Sequence, residues 1–470
     1  AGRYELEISC VGYKTKRLTI NTVNSKTNSL SIQLEELPQE LTTVVVTATR
    51  SERQLAELPI PVTVVSKAQI STIGSLRLDE VLAEQTGLAI VSDHGTGVQV
   101  QGFNPEYTLL LIDGEPLIGR TAGTLSLNRI AVGNIKQLEI VKGPSSSLYG
   151  SEALAGVINI ITEKPQGAGG SLYTRFGTNN TFDVSASANY KYKSLGLYVF
   201  ADRYSTDGYD LLPENFGNTV EPLQSYTFTS NVTYDISSRT KFNLSSRYFI
   251  ESQESKFNVG APGQLDIIRG TGHVTDWNIN PTISHFFSNR FKTMLRVYGT
   301  NYLTQSVLHY ESDGRQYDNS FFEQKFYRPE IQSEYFFNAR NIITIGAGRI
   351  WESVKATRYE NKKQFTTNYL YVQYEWTPAE RIDFIIGARF DAHSAYRSQF
   401  SPKFSLHYNV ESWISIQGSA GVGFKAPDFR QLYLNFSNAV AGYSVFGSQE
   451  LKAGIIRLQN EGQISEVLMD

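Results

Sequence analysis

The sequence predicts a mostly β protein in three parts: a small β-sandwich fragment, a mixed α/β domain and an incomplete transmembrane antiparallel β-barrel. Two observations predict the barrel. After Gly167, about 13 segments of roughly ten residues alternate apolar or aromatic residues with polar or small ones, as membrane-spanning strands do. Short and long connections take turns between these segments, as tight turns and long outer loops do in such barrels, and residues 251–277 are predicted as one of the long loops. A soluble sandwich also alternates, but its strands are usually nearer 5–6 residues.

The amino-acid composition limits the classes of protein to which the chain can belong. A chain of 470 residues favours two or more structural units. The net charge of -3 gives no electrostatic reason to predict a nucleic-acid partner. The single cysteine, Cys10, excludes a disulfide framework or a multi-cysteine metal site within the chain. No apolar run approaches the roughly 20 residues of a membrane-spanning helix, whereas the 27 Tyr and 26 Phe crowd the region after Gly170 and support the barrel.

The N-terminal part has strand patterning with turn residues between the runs. Residues 1–36 alternate in short bursts such as YELEISCVGY and SLSIQLEEL, which predicts a fragment of a β-sandwich. Residues 37–50 follow as a linker that ends in VVVTATR, from Val44 to Arg50. This β-prone run is either an ordinary strand or an extended segment that pairs with the sheet edge of another protein.

Residues 51–166 have the pattern of a mixed α/β domain. PVTVVSKAQI predicts a strand that leads into a helix, and SLRLDEVLAEQTG predicts a second helix that stops at Gly87. Further strands are predicted at GVQVQGF, YTLLLIDGEPL, NIKQLEIVKG and GVINIITEK. Asp113 and Gly114 form a turn signal between apolar runs.

The stretch GPSSSLYGSEALAGVINIITEKP, from Gly143 to Pro165, crowds Gly and Ser as a phosphate-binding loop does. A Walker loop places Lys and Ser/Thr directly after its last glycine. Here Gly150 is followed by Ser151 and Glu152. The stretch therefore predicts a turn followed by a buried strand, with Tyr149 as a packed aromatic residue.

No enzyme constellation stands out, and we predict neither catalytic residues nor a cofactor. There is no G-x-S-x-G elbow. The run GVGFKA at Gly421–Ala426 matches a dinucleotide motif formally, but Pro427 follows it and a strand pattern precedes it. The six histidines lack metal-ligand spacing. His407 lies in a predicted strand beside a short turn and is expected to be structural.

Several of these motifs together resemble TonB-dependent outer-membrane receptors, and the resemblance covers nearly the whole chain. VVVTATR resembles the TonB box, and LLLIDGEPL (Leu109–Leu117) with Ile135–Thr162 resembles the plug-domain signature. GFKAPDFRQLY (Gly423–Tyr433) is similar to a motif on a late barrel strand of iron-complex, haem and cobalamin receptors. Residues 1–36 resemble the end of the carboxypeptidase-regulatory-like domain that is often fused to such receptors in Bacteroidetes.

The resemblance implies an outer-membrane location and a plug, residues 51–166, that fills a barrel formed by residues 167–470. It implies import of a scarce iron complex, a siderophore or haem, with cobalamin import as the alternative. A glycan importer that works with a surface lipoprotein is a further alternative, while the plug signature argues against a passive porin or adhesin. The implied TonB-binding residues are Val44, Val45, Val46, Thr47 and Ala48. The implied substrate-binding residues are His94, Gly95, Arg120, Thr121, Tyr433 and Tyr443.

His94 is open to two interpretations. It lies in SDHGTG, which the resemblance places in a plug loop facing the ligand, where a neutral imidazole could coordinate haem iron. It is otherwise a solvated loop histidine. Haem receptors of this family often supply a second histidine shortly after the barrel motif, and this sequence has none there, although Tyr433 or Tyr443 could substitute.

The ends of the sequence predict a piece of a longer protein. About 13 strands is an odd number, whereas bacterial barrels close with an even one. The chain stops in GIIRLQNEGQISEVLMD, which has helical character, and it starts without Met or a signal peptide. We therefore expect the natural protein to continue beyond Asp470.

Overall fold

The computed structural model describes residues 3–8, 16–21, 32–34, 44–50, 52–55, 58–92, 95–121, 124–212, 216–261, 264–338, 340–379, 381–411, 413–438 and 443–464. Strands β1 (Arg3–Ile8) and β2 (Lys16–Asn21) form an antiparallel hairpin at the N-terminus. Of the third predicted run in this region, only residues 32–34 are described, and they are not in a strand. The β-sandwich fragment therefore stays a prediction.

The α/β domain follows a short antiparallel pair, β3 (Val44–Val45) with β4 (Arg53–Gln54). Its elements, in chain order, are β5 (Val62–Ser66), α1 (Lys67–Ile73), α2 (Leu78–Ala83), β6 (Leu88–Ser92), β7 (Thr96–Val100), β8 (Thr108–Ile112), β9 (Glu115–Pro116), β10 (Ile135–Lys142), α3 (Ser146–Tyr149) and β11 (Gly156–Thr162). Five strands form one sheet in the order β5-β10-β11-β8-β9, in which only β8 and β11 are parallel. Strands β6 and β7 form a separate hairpin.

Local sequence explains where these elements begin and end. Ser66 and Gln69 form a capping box at the start of α1, and Gly74, with a φ of 74°, ends this helix. Every residue of β11 is buried, which confirms the prediction of a buried strand after the Gly/Ser-rich turn. Apolar residues from helices α1 and α2 and from strands β8, β10 and β11 form one core, in which Leu78, Leu138 and Ile158 are fully buried.

Thirteen further strands form one sheet in which each strand pairs antiparallel with its neighbours in chain order. They are β12 (Ala168–Gly177), β13 (Thr181–Tyr192), β14 (Leu195–Thr206), β15 (Leu223–Asp235), β16 (Thr240–Ala261), β17 (Gln264–Ser288), β18 (Phe291–Tyr310), β19 (Gln316–Asn338), β20 (Asn341–Ala356), β21 (Lys363–Ala379), β22 (Ile382–His393), β23 (Gln399–Glu411) and β24 (Ile414–Gly421). The strand number confirms the prediction from alternation.

The strands differ from the prediction in length, because they range from 8 to 25 residues. The sequence predicts a loop at residues 251–277, but residues 251–261 lie in β16 and residues 264–277 lie in β17, and the two strands stay paired up to Ala261 and Gln264. Alternation weakens there because both strands are rich in polar residues and glycine. Pro281 also sits in β17, where the pairing with β18 skips it, since proline has no backbone N–H to donate.

The two faces of this sheet differ in polarity. Outward-pointing side chains such as Leu197 and Leu370 are exposed, whereas inward-pointing Phe200 and Tyr371 are buried. Many other inward positions carry Thr, Ser or Asn, which is the alternation of an outer-membrane barrel. No helix in the described part of the chain is long and apolar enough to cross a membrane.

The sheet curves around the α/β domain, because side chains of that domain contact strands all along it. Arg77 pairs with Asp202 on β14 at 3.4 Å, and Arg129 pairs with Asp276 on β17 at 3.2 Å. At the far side, Arg389 on β22 donates to the backbone carbonyl of Leu148 at 3.1 Å. The α/β domain therefore fills the interior of the barrel sheet, as predicted.

The two ends of the barrel sheet differ in their connections. At the end next to the start of β12, the strands are joined by turns of two to four residues. At the other end, connections reach 16 residues, between β14 and β15. We call the end with the short turns the turn end and the opposite end the loop end. After β24, the chain forms α4 (Phe429–Tyr433), β25 (Asn435–Asn438), β26 (Tyr443–Phe446) and α5 (Leu451–Asn460).

Candidate functional site

The segment Val44–Arg50, which we call the box segment, is folded into the interior rather than extended. Val44 and Val45 pair with β4, but the chain then turns, and the backbone N–H of Arg50 donates to the carbonyl of Val46 at 2.8 Å. Arg50 itself has a φ of 59°, a left-handed conformation that few non-glycine residues adopt. Extended structure is therefore limited to the first two residues of the segment.

A single buried carboxylate binds the middle of the box segment. Glu139 on β10 accepts the backbone N–H of Val46 at 2.9 Å and that of Thr47 at 2.8 Å through Oε2. The same oxygen accepts the Thr47 hydroxyl, and Asn159 on β11 donates to that hydroxyl at 3.0 Å. Hydrogen bonds to an ionised acceptor are about twice as strong as neutral ones. Glu139 therefore holds the segment by its backbone.

Arg50 ties the end of the box segment to the barrel wall. Its Nη1 and Nη2 lie 3.0 and 2.9 Å from the two carboxylate oxygens of Glu330 on β19, and both side chains are buried. Tyr369 on β21 donates to Glu330 at 2.6 Å, and Arg296 lies 3.8 Å from it. Removing one partner of such a buried pair strongly destabilises the protein, because the other charge stays buried and unpaired.

Tyr149 contacts the box segment from the Gly/Ser-rich turn. Its hydroxyl donates to the backbone carbonyl of Thr47 at 3.0 Å, and the guanidinium carbon of Arg50 lies 5.5 Å from its ring centroid. Burial raises the pKa of the Tyr149 phenol, so it remains a neutral donor. Tyr149 is thus packed, as expected, and also hydrogen-bonded to the segment.

A cavity of about 160 Å³ lies between the α/β domain and the loop end of the barrel sheet. We call it the aromatic cavity. The α/β domain contributes residues 116–120 and 149–152, and the barrel contributes strands β19 to β22 and residues 424–430. Its aromatic lining includes Phe322, Phe365, His393, Tyr396, Phe424 and Phe429.

Most charged groups that line the aromatic cavity already have partners. Arg120 donates to the carbonyl of Thr108 at 2.8 Å and lies 3.5 Å from Glu152. Glu352 accepts from Gln324 at 2.7 Å. Lys425 donates to the backbone carbonyl of Ala426 at 2.7 Å.

The structure does not bring all the substrate-binding residues that were expected from sequence to one place. Arg120 lines the aromatic cavity, whereas Gly95 and Thr121 are not among the residues that line it. Tyr433 lies beside the cavity wall, with its ring centroid 6.1 Å from that of Phe365. Tyr443 on β26 is 51% exposed and lies away from the cavity lining. His94 lies outside the described residues.

Sequence reasoning missed His393, Tyr396 and Lys425 as cavity residues. Lys425 lies within the GFKAPDF motif, which was a usable signal. His393 and Tyr396 carry no spacing signal, because only the pairing of β21, β22 and β23 brings them to the cavity. No group of three or more His, Cys, Asp or Glu side chains in the described ranges could hold a metal ion.

Two family models match the chain. The model described as "TonB-dependent Receptor Plug Domain" matches residues 54–157, and the model described as "TonB dependent receptor-like, beta-barrel" matches residues 156–454. The first covers the α/β domain from the end of β4 to the start of β11, and the second covers β11, the barrel sheet and most of the region after it.

Known proteins with similar sequences include two from Vibrio. The chain is 27% identical over 410 residues to the vitamin B12 transporter BtuB of Vibrio vulnificus. The aligned region covers 84% of this chain and 64% of that protein. It is 25% identical over 429 residues to the iron-regulated outer membrane virulence protein of Vibrio cholerae. Here the aligned region covers 87% of this chain and 64% of that protein. The chain thus spans 64% of the length of these curated relatives.

Solved structures share the fold. The siderophore receptor PirA from Pseudomonas aeruginosa gives a TM-score of 0.63 at 16% identity, over 82% of this chain and 68% of that one. The ferric enterobactin receptor PfeA from Pseudomonas aeruginosa gives a TM-score of 0.67 at 14% identity, over 80% of this chain and 64% of that one. At these identities the likeness concerns the fold alone.

Proposed function

Since the chain belongs to the TonB-dependent receptor family, we propose that it forms the plug and part of the barrel of a transporter that imports a scarce iron complex, a siderophore or haem, into the periplasm. The family is one of outer-membrane receptors rather than enzymes, which confirms the predicted location and the prediction that the chain is not an enzyme. The α/β domain is the plug.

One observation carries the proposal. Tyr149 lines the aromatic cavity at the loop end, and its hydroxyl is bonded to the carbonyl of Thr47 in the buried box segment. A ligand that displaces the Tyr149 ring therefore removes a hydrogen bond from the box segment. This contact gives a physical route from substrate binding to the exposure of a segment that TonB would bind.

In the proposed mechanism, substrate binds from the loop end between the outer loops and the plug. The box segment then leaves Glu139 and becomes accessible at the turn end. TonB adds a strand to Val44, Val45, Val46, Thr47 and Ala48, and the main-chain hydrogen bonds transmit the pulling force. The plug yields, and the substrate passes at the expense of the inner-membrane proton gradient.

The substrate assignment rests on relatives and on composition of the cavity. The iron-regulated relative from Vibrio cholerae supports an iron complex. The vitamin B12 transporter from Vibrio vulnificus supports cobalamin as the alternative. His94, Gly95, Arg120, Thr121, Tyr433 and Tyr443 remain the substrate-binding residues of the proposal, to which the cavity adds its aromatic lining.

The remaining parts of the proposal concern domain boundaries and partners. We assign residues 1–36 to the end of a carboxypeptidase-regulatory-like domain of Bacteroidetes type, which the alternating pattern and the β1-β2 hairpin support. Residues 37–50 form the linker with the TonB box, 51–166 the plug and 167–470 the barrel part. A surface lipoprotein belongs to the proposal only if the substrate is a glycan.

Uptake assays test this function. The full-length receptor is produced in cells that lack receptors for the tested ligands, with and without a functional TonB protein. We expect uptake of radioactive iron from a ferric chelate, and no uptake without TonB. Uptake of labelled cyanocobalamin alone would transfer the assignment to the alternative, and uptake of iron without TonB would contradict the mechanism.

Replacing Tyr149 by phenylalanine should loosen the box segment while it keeps the ring. The change removes one hydrogen bond, worth about 0.5–1.5 kcal/mol, and the hydrogen-exchange rate of the box-segment amides should rise by about 2- to 13-fold. Tyr173→Phe, on the exposed strand β12, is the matched control. Equal exchange in Tyr149→Phe and the wild type would show that this contact does not hold the segment.

A further inference from the structure

The tight turns at the turn end of the barrel carry a repeated positive charge. Six turns join the described barrel strands at this end, and five of them contain one lysine or arginine each. These cations are Lys193, Arg239, Arg290, Arg340 and Arg381. All five residues are exposed to solvent. We call this row of five residues the cationic rim.

Most of the cationic rim is not neutralised by the protein itself. Four of its members have no carboxylate within ion-pair distance in the part of the chain that the structure describes: Lys193, Arg239, Arg290 and Arg340. Arg381 differs, because its Nη1 lies 3.8 Å from a carboxylate oxygen of Glu411. Asp235 lies close to Arg239 in sequence but pairs with Lys241 at 3.9 Å. The rim therefore offers free positive charge to a partner outside the described chain.

The connections at the loop end have a different charge. The first three of them, residues 178–180, 207–222 and 262–263, contain no lysine or arginine, and residues 207–222 contain four carboxylates. In the next one, Arg315 pairs with Asp313 at 3.7 Å. The same strands thus carry cations in their turns at one end and none in their first loops at the other, so the positive charge is a property of the turn end.

Exposed aromatic side chains lie directly beside the cationic rim. They occupy the turn-end parts of the strands and the one turn without a cation: Tyr192, Tyr234, Phe287, Phe337, Trp376, Tyr408 and Trp413. Girdles of this kind border the apolar band of outer-membrane barrels at both interfaces. Since the cations follow the girdle immediately, they lie at the level of the lipid headgroups.

Lys193 shows that a rim cation reaches the lipid-facing side. Tyr192 pairs with Leu195 and lies on the same outward face of the sheet as Leu197. The Tyr192 ring is 57% exposed, and the ammonium nitrogen of Lys193 lies 5.1 Å from its centroid. The charge of Lys193 therefore stands over an aromatic ring of the girdle, where it faces the edge of the bilayer.

The spacing of the rim cations suits many separate anions rather than one. Neighbouring strands lie about 4.8 Å apart, and successive turns at this end are two strands apart, so the cations follow one another at about 10 Å. Cations at this spacing cannot converge on one phosphate or one small anionic ligand. A lipid leaflet with anionic headgroups side by side matches such a row, and it attracts basic residues close to its surface.

We propose that the cationic rim binds the headgroups of anionic phospholipids in the leaflet next to the turn end, which is the periplasmic side of such barrels. The guanidinium and ammonium groups donate hydrogen bonds to headgroup phosphates, and the girdle rings pack against the adjoining acyl chains. The rim thereby fixes the depth of the barrel at this edge of the membrane. The interaction joins the barrel to its membrane and does not depend on which substrate is imported.

A fluorescent label beside the rim tests this binding in the full-length receptor, reconstituted in phosphatidylcholine bilayers. The label is attached to Ser238→Cys, in the exposed turn that contains Arg239, and Cys10→Ser removes the cysteine of this chain. Quenching by nitroxide-labelled phosphatidylglycerol is compared with quenching by nitroxide-labelled phosphatidylcholine. We expect phosphatidylglycerol to be favoured about fivefold, the effect of one cation near an anionic leaflet. The preference should disappear in about 1 M salt, which screens exposed charges.

Variants locate the effect on the rim. The rim variant replaces the four unpaired cations by a polar, uncharged residue: Lys193→Gln, Arg239→Gln, Arg290→Gln and Arg340→Gln. Since these side chains are exposed, the variant should fold, and its preference for phosphatidylglycerol should fall to about one. The matched control removes cations that lie farther along β14 and β20, towards the loop end: Arg203→Gln, Arg349→Gln and Lys355→Gln. This control should keep the preference.

Three results would overturn the proposal. The first is equal quenching by the two lipids in the wild type, and the second is an unchanged preference in the rim variant. The third is a label that responds to added poly-glutamate but shows no preference between the lipids, which would assign the rim to an acidic protein segment instead.

Discussion

Replacing Glu330 by glutamine should release the box segment, with hydrogen exchange at Val46 and Thr47 faster by about 10²- to 10⁴-fold. Glu330 is the buried counter-charge of Arg50, which it contacts through two hydrogen bonds. Breaking a buried pair by neutralising one partner costs about 3–5 kcal/mol, and about 1.4 kcal/mol corresponds to a factor of ten. The Arg50 side chain can avoid this cost by moving to water, and the box segment moves with it.

Hydrogen exchange of the peptide that contains residues 44–50 measures this release. Glu334→Gln is the matched control, because Glu334 is also a buried, inward-facing residue of β19 but pairs with Lys292 instead. The double variant Arg50→Met with Glu330→Gln removes both charges and should recover much of the protection. Exchange in Glu330→Gln that equals the control would show that the ion pair does not hold the segment.

The architecture of the barrel could be predicted from sequence, because each strand carries its own alternation of apolar and polar residues. Outward Leu197 and inward Phe200 follow a period of two that lipid on one side and a filled interior on the other impose. The extent of β16 and β17 was not accessible. Beyond the membrane, neither face of a strand contacts lipid, so the alternation fades while the backbone pairing continues to Ala261.

The candidate site was accessible only in part, because its decisive contacts join distant residues. The box segment could be located from VVVTATR, but Glu139 lies 93 positions beyond Val46 and Glu330 lies 280 beyond Arg50. Nothing near Val46 in sequence predicts that a carboxylate on another strand binds its N–H. The aromatic cavity depends in the same way on the register that brings His393 to the plug.

Replacing Val45 by proline should abolish uptake while it leaves substrate affinity unchanged. Val45 is fully buried in the resting segment, beside Ala48, Leu58 and Ile385. Proline has no backbone N–H and resists pairing inside a ladder. A strand of TonB added to the box segment would therefore lack a central hydrogen bond and the geometry that carries force. The aromatic cavity contains no residue of the box segment, so binding should persist.

Two measurements on the full-length receptor separate these effects. TonB-dependent iron uptake in cells should fall to the level of cells without the receptor, and titration of the purified variant should give a dissociation constant within about twofold of the wild type. Val45→Ile is the matched control, because isoleucine keeps the N–H and a strong preference for strands, and its uptake should continue. Normal uptake by Val45→Pro would refute the assignment of Val44–Ala48 as the TonB-binding strand. Lost affinity would show instead that the box segment also supports the substrate site.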